Sequence, residues 1–274
     1  MEPRTVVIAE PRAVARFLAT AAACLLAAHV AGLVAEYGFG RDTLLGLVPL
    51  FDLDQERNAP TLFSASLFLV AAALAFLVAR ANRGAAGRAR GWTFLAAVAC
   101  FLAVDEVASI HEMFAHPLRE SLGAAGFLRH AWVIPYGAAA AIAAALVVPL
   151  IRGLAPSSRR RFIVAGVIYV SGAIGLEMVG GKYQELAGVT RNLVYEAIAT
   201  TEESMEIAGL ILLVHALVSL LRLELGGAAI AIPAAAVASP DDRLERHPHV
   251  SPTAPATPPL PGARKPQRAD SAHA

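Results

Sequence analysis

Six blocks of mainly apolar residues, each near the length that crosses hydrocarbon, constrain this chain more than any other feature. They run over about residues 17–34, 62–78, 92–110, 131–151, 162–179 and 193–221 of 274. A membrane-spanning helix needs roughly 20 such residues. Inside lipid the backbone must satisfy its own polar groups, which helices do within a single segment. The expected fold is therefore all-α, a polytopic bundle of six transmembrane helices. Hydrophobic residues make up 57% of the chain, above the roughly 45–50% of ordinary soluble domains. A signal peptide is the competing reading of the first block, because Arg4, Arg12 and Arg16 precede it. The length of the block and the lack of a clear A-x-A site favour a retained span.

Arginine placement predicts the orientation. Arg4, Arg12 and Arg16 precede the first span, Arg80, Arg83, Arg88 and Arg90 follow the second, Arg152 and Arg159 to Arg161 follow the fourth, and Arg222 follows the sixth. The intervening connections are poorer, with Arg41 and Arg57, Arg119 and Arg129, and Lys182 and Arg191. The positive-inside rule then puts both termini in the cytoplasm. Residues 1–16 read as a cytoplasmic arm, 17–222 as the membrane domain, and 223–274 as a disordered tail rich in Pro, Ala, Ser and charge. The Ala- and Arg-rich usage suits a bacterial inner membrane. A net charge of +1 offers nothing to a nucleic-acid partner. Cys24 and Cys100 lie in apolar blocks and form no disulfide or metal-binding pattern.

Acids inside the spans carry the functional information. A carboxylate at helix depth costs at least ~2.5–3.5 kcal/mol and calls for a partner, a proton or a cation. The third block holds Asp105, Glu106, His111 and Glu112, the fifth Glu177, and the sixth Glu196, Glu202, Glu203 and Glu206. At roughly 100° per residue, Asp105, Ser109 and Glu112 share one stripe, and Glu196, Thr200 and Glu203 another. Counted from the cytoplasmic ends, Asp105 and Glu177 lie about 20 Å along their helices, and Glu203 about 15 Å from its outer start. All three fall in the middle-to-outer part of the bilayer.

Carboxylates with few histidines favour a hard or borderline divalent cation, so Fe, Mn, Mg, Ca or Zn are the candidate cofactors. The expected ligands are Asp105, His111, Glu112, Glu177 and Glu203, with Glu106, Glu206 and Ser109 as catalytic or supporting groups. The spacing is neither Glu-x-x-His nor HExxH. In FDLDQERNAPT, Asp52, Asp54 and Glu56 precede a helix start marked by Asn58, Pro60 and Thr61. His29 and His215 read as lone core histidines, and His116 and His130 as solvated. Trp132 and Tyr136 read as interfacial anchors, and Gly166, Gly172 and Gly175 as points of close helix packing.

FDLDQERNAPTLFSASLFL, FLAVDEVASIHE, AWVIPY and EESMEIAG together resemble an uncharacterised group of bacterial multi-span membrane proteins. The resemblance covers about residues 46–213 and implies no activity. The leading expectation is an outward-opening metal site acting on a lipid or other apolar substrate by hydrolysis or oxidation. A proton- or cation-coupled transporter and a non-catalytic scaffold, with the acids as interhelical glue, are the rivals.

Overall fold

A computed structural model describes residues 10–224. The carboxy-terminal tail lies outside the described residues, as does the amino-terminal arm up to residue 9. Helix α1 (Pro11–Leu33) begins six residues earlier than the apolar block suggested. Glu10 caps it, its carboxylate accepting the Ala13 N–H at 2.7 Å, and Pro11 sits where no N–H is needed. The helix runs on as a π-helical turn, Val34–Gly38. A short helix α2 (Leu47–Phe51) leads into the polar loop 52–58. Asn58 then caps α3 (Ala59–Ala81) by accepting the Thr61 N–H at 3.2 Å, as the sequence predicted.

Next come α4 (Ala86–Ala108), α5 (Ile110–Leu122) and α6 (Val133–Arg152). The fifth span is composite: α7 (Pro156–Val170), a π-helical segment Ser171–Leu176, and α8 (Glu177–Ala187). Helix α9 (Leu193–Ser219) is capped by Asn192, which accepts the Val194 and Tyr195 N–H groups. Among the described residues six helices are long and apolar enough to cross a membrane: Pro11–Gly38, Ala59–Ala81, Ala86–Ala108, Val133–Arg152, Pro156–Ala187 and Leu193–Arg222. The protein is a multi-pass membrane protein, and an even number of crossings returns residue 222 to the side of residue 10.

Helix α9 is the axis of the bundle. Its span is 61% buried, against 6% for α1 and 11% for α6, whose apolar faces are left for lipid. Helices α1, α3, α7 and α8 pack on α9, and α3 pairs with α4. Val78, Trp92, Phe162, Val214 and Leu217 form an apolar layer at the arginine-rich end. Leu67, Phe68, Ala99, Ala103, Ile207 and Leu210 form the next. Beyond them lies the polar end of the bundle.

Glycine permits a close helix contact. A Cβ at Gly209 would lie 2.7 Å from the Cβ of Tyr169 and 2.8 Å from its backbone N and Cα, so α7 and α9 touch backbone to backbone. Gly172 behaves similarly toward the Glu202 carbonyl, at 2.9 Å, whereas Gly166 and Gly175 meet nothing within 4 Å. Gly209→Ala should therefore push α7 off α9 and cost about 1–3 kcal/mol. Unfolding in mixed micelles measures it, and an unchanged midpoint would refute the contact.

One interruption reshapes the third span. Ser109 is left-handed, at φ 52°, ψ 44°, and ends α4 before α5 begins. A non-glycine residue there costs about 1–2 kcal/mol. Asp105, Ser109 and Glu112 therefore do not lie along one continuous helical stripe. The stripe Glu196, Thr200 and Glu203 does lie on one unbroken helix.

Candidate functional site

The break at Ser109 folds the start of α5 back on the end of α4. Asp105 accepts the His111 backbone N–H at 3.0 Å and meets His111 Nδ1 at 3.1 Å through its other oxygen. The Tyr136 hydroxyl donates to Asp105 at 2.7 Å. Trp132 packs on the imidazole at a ring separation of 4.8 Å. The ring is thus held from three sides, with Nδ1 turned to a carboxylate. Its Nε2 faces Glu56 of the loop before α3, at 3.7 Å. Ligand atoms of Glu56, His111 and Glu112 all lie within 4.8 Å of one another, and Glu56 Oε2 is buried without a hydrogen-bond partner.

Below this group the acids of α4 and α9 converge. Glu106 lies within Coulomb reach of Glu206, Glu56 and His111. Glu203 lies near Glu206, Glu106, Glu56 and Asp54. The Tyr169 hydroxyl faces Glu206. His111 is the cationic group that Glu56, Glu106 and Glu206 share. Glu106, Glu203 and Glu206 are half-buried.

Glu177 belongs to a neighbouring knot. Its Oε1 meets His130 Nδ1 at 2.6 Å and accepts from Trp132 Nε1 at 2.9 Å. His130 Nε2 and Arg129 Nε both reach Gln184 Oε1, at 3.0 and 3.2 Å. Glu202 lies against Glu177 from α9. Trp132 connects the two regions, because it touches Glu177 through its indole N–H and His111 through its ring.

A second His/Asp/Glu group, His29, Asp52 and Glu196, already has its cation. Arg191 donates through Nη2 to Asp52 at 2.5 Å and pairs through Nε with Glu196. Leu53 N–H donates to His29 Nδ1 at 3.1 Å, so Nε2 carries the ring proton and donates to Thr200 at 2.9 Å. Both ring nitrogens are committed, and no lone pair is left for a metal. His29 is a structural core histidine, as the sequence suggested, satisfied by an amide and a hydroxyl.

The loops titrate according to these neighbours. Burial lifts Glu56 to about 7, against the attraction of His111 and aided by repulsion from Glu112 and Asp105. Burial likewise lifts Asp54 to about 7, helped by Glu196 and Asp52. For His111, burial opposes the charge, but the hydrogen bond and charge of Asp105, with Glu56 and Glu112, raise it to about 9. His130 is also raised, its bonds to Glu177 and Gln184 overcoming burial.

The structure thus brings His111 and Glu112 together with Glu56, which the sequence had placed only among helix-start acids. Asp105 sits behind His111. Among the described residues, Asp105, Glu177 and Glu203 do not share one group of ligand atoms within 4.8 Å. Ser109 is buried, with Oγ lacking a hydrogen-bond partner. Glu196, near the start of the sixth span, is 1% exposed. His130, read as solvated, is bonded on both nitrogens, and Trp132 and Tyr136 are hydrogen-bond donors to acids rather than surface anchors. His116 does pair only at the surface, with Glu120. The signal for Glu56 was present in FDLDQERNAPT. Nothing in the sequence paired Arg191 with Asp52 across 139 positions.

The family model of a domain of unknown function, DUF8692, matches residues 11–221, so the chain belongs to that family. No curated protein and no solved structure matches the chain.

Proposed function

We propose that this member of a family of unknown function is a divalent-metal-dependent membrane protein acting on a lipid or other apolar substrate. Glu56, His111 and Glu112 are the proposed ligands. The observation carrying this reading is the Asp105–His111 pair. A carboxylate on Nδ1 fixes the tautomer and turns the Nε2 lone pair toward two further carboxylates, the usual arrangement behind a metal-bound histidine. One imidazole with oxygen ligands suits Zn, Fe or Mn better than Ca. Such a cation supplies Lewis acidity and, where water binds, a nucleophile at neutral pH. Glu106 and Glu206 lie within Coulomb reach of His111 and are the proposed bases, with Glu203 beside them.

An apolar substrate is favoured by the surroundings. On α5, Met113, Phe114 and Leu122 are exposed, which suits a helix lying at the bilayer surface. An apolar groove lined by Cys24, Leu25, Phe51, Leu62 and Phe63 runs between α1 and α3. It meets the ends of the loop that carries Glu56. The proposed location is a bacterial inner membrane with both ends in the cytoplasm, which places the site toward the outer side.

Metal analysis of the purified protein tests the reading. Wild type is expected to retain one Zn, Mn or Fe per chain, and Glu56→Gln and His111→Ala to lose it. No metal in the wild type, even after loading with these ions, would overturn it.

Proton- or cation-coupled transport is the second reading. It is favoured by the π-helical break Ser171–Leu176, which ends at Glu177, and by the contact of Glu177 with Glu202. Proteoliposome flux abolished by Glu202→Gln, in protein without bound metal, would select it.

A further inference from the structure

At the arginine-rich end of the bundle, far from the carboxylate site, lies a pocket of about 570 Å³ lined by Glu10, Arg12, Ala15, Arg16 and His215. We propose that it binds the phosphate of an anionic lipid headgroup.

The pocket is built by two spans. Arg12 and Arg16 are four apart on α1, so they project from one face of its first turns. His215 faces them from α9, within Coulomb reach of Arg12, Glu10 and Arg161. Arg161, from the start of α7, has Nη1 buried with no hydrogen-bond partner among the described residues. Arg222 lies within Coulomb reach of Glu10. Arg12 and Arg16 thus line the pocket beside Glu10, the one carboxylate among its lining residues, with Arg222 near Glu10 and Arg161 near His215. That carboxylate is already engaged, accepting the Ala13 N–H at the start of α1.

An unsatisfied guanidinium donor is costly to bury and is relieved by an oxyanion that accepts two N–H groups at once. Phosphate has the charge and the tetrahedral oxygens to bridge donors from α1, α7 and α9. Depth selects a lipid over a peptide acid. His215 lies seven residues inside Arg222 on the same span, about 10 Å along the helix axis. Phe17, 73% exposed next to Arg16, offers apolar surface for the acyl chains of a bound headgroup. Basic pockets between spans are established sites for such headgroups.

The test uses the full chain in neutral detergent, titrated with phosphatidic acid, phosphatidylglycerol, phosphatidylcholine or inorganic phosphate while the unfolding midpoint is followed. Both anionic lipids should raise the midpoint saturably, and phosphatidylcholine should not. Arg12→Gln/Arg16→Gln should weaken the apparent affinity at least tenfold, and Arg161→Gln should weaken it too. Arg83→Gln/Arg90→Gln, on the same membrane face but outside the pocket, should leave it unchanged. Equal loss in that control pair would reduce the effect to general surface charge and overturn the proposal. So would an equal response to phosphatidylcholine, or full stabilisation by inorganic phosphate alone.

Discussion

Arg191→Ala is expected to destabilise the folded protein by about 3 kcal/mol, the low end of the range for removing one partner of a buried ion pair. The low end applies because Arg191 keeps 30% of its surface, while Asp52 and Glu196 are 2% and 1% exposed. The loss comes chiefly from the two acids left behind without a counter-charge. Glu196 Oε2 already lacks a partner, and the Tyr37 hydroxyl and Gln55 amide that reach these acids are neutral. Glu36, at 4.0 Å from Nη2, would add to the repulsion that Arg191 now offsets. The double variant Arg191→Ala/Glu196→Gln should recover part of the stability, because it removes one stranded charge. Unfolding of the four proteins of this double-mutant cycle gives the coupling directly. Additive effects, or a single-variant loss below 1 kcal/mol, would show that Arg191 is not the counter-ion of this group.

Asp105→Asn is expected to lower metal affinity 10–100-fold, the usual effect of removing the carboxylate behind a metal-bound histidine. It should also move the pH dependence. In the wild type, a cation competes with protons on Glu56, raised to about 7, and on His111, raised to about 9. Affinity should therefore climb from pH 6 and level off above about pH 9. The raised carboxylate and the raised imidazole act in the same direction, since both hold a proton that the metal must displace. Without the Asp105 charge, burial becomes the main influence on His111 and its proton is released at lower pH. The variant should then level off earlier, at a weaker plateau. Calorimetric titration with Zn or Mn at several pH values measures both features. An unshifted pH dependence would show that Asp105 does not hold the His111 proton, and an unchanged plateau that it does not support the metal-binding imidazole.

These two expectations draw on different amounts of sequence information. Asp105 and His111 stood out at once, as an acid and an imidazole in an apolar block. Their relationship did not, because helical periodicity carries no warning of a left-handed serine. Ser109 diverts the chain, and the imidazole returns to the carboxylate through local backbone geometry. Glu56 was visible as one acid in a polar loop, yet its nearness to His111 depends on how α3 and α4 pair. Gly209 went unremarked among the apolar residues of the last span, although Tyr169 lies on its backbone.

By itself the sequence determined the membrane, the six helices and the end of the bundle that collects acids. Those properties follow from terms that add residue by residue: transfer of apolar side chains into hydrocarbon, the rise of a helix, and the cost of burying charge. Only the tertiary structure decided which acids meet. It gave Asp52 and Glu196 to Arg191, Glu177 to His130 and Trp132, and Glu56 and Glu112 to His111. Pairing of this kind is set by helix rotation and by a few short approaches over glycine. A turn of one residue moves a side chain by 100°, and no sum over the chain contains that angle.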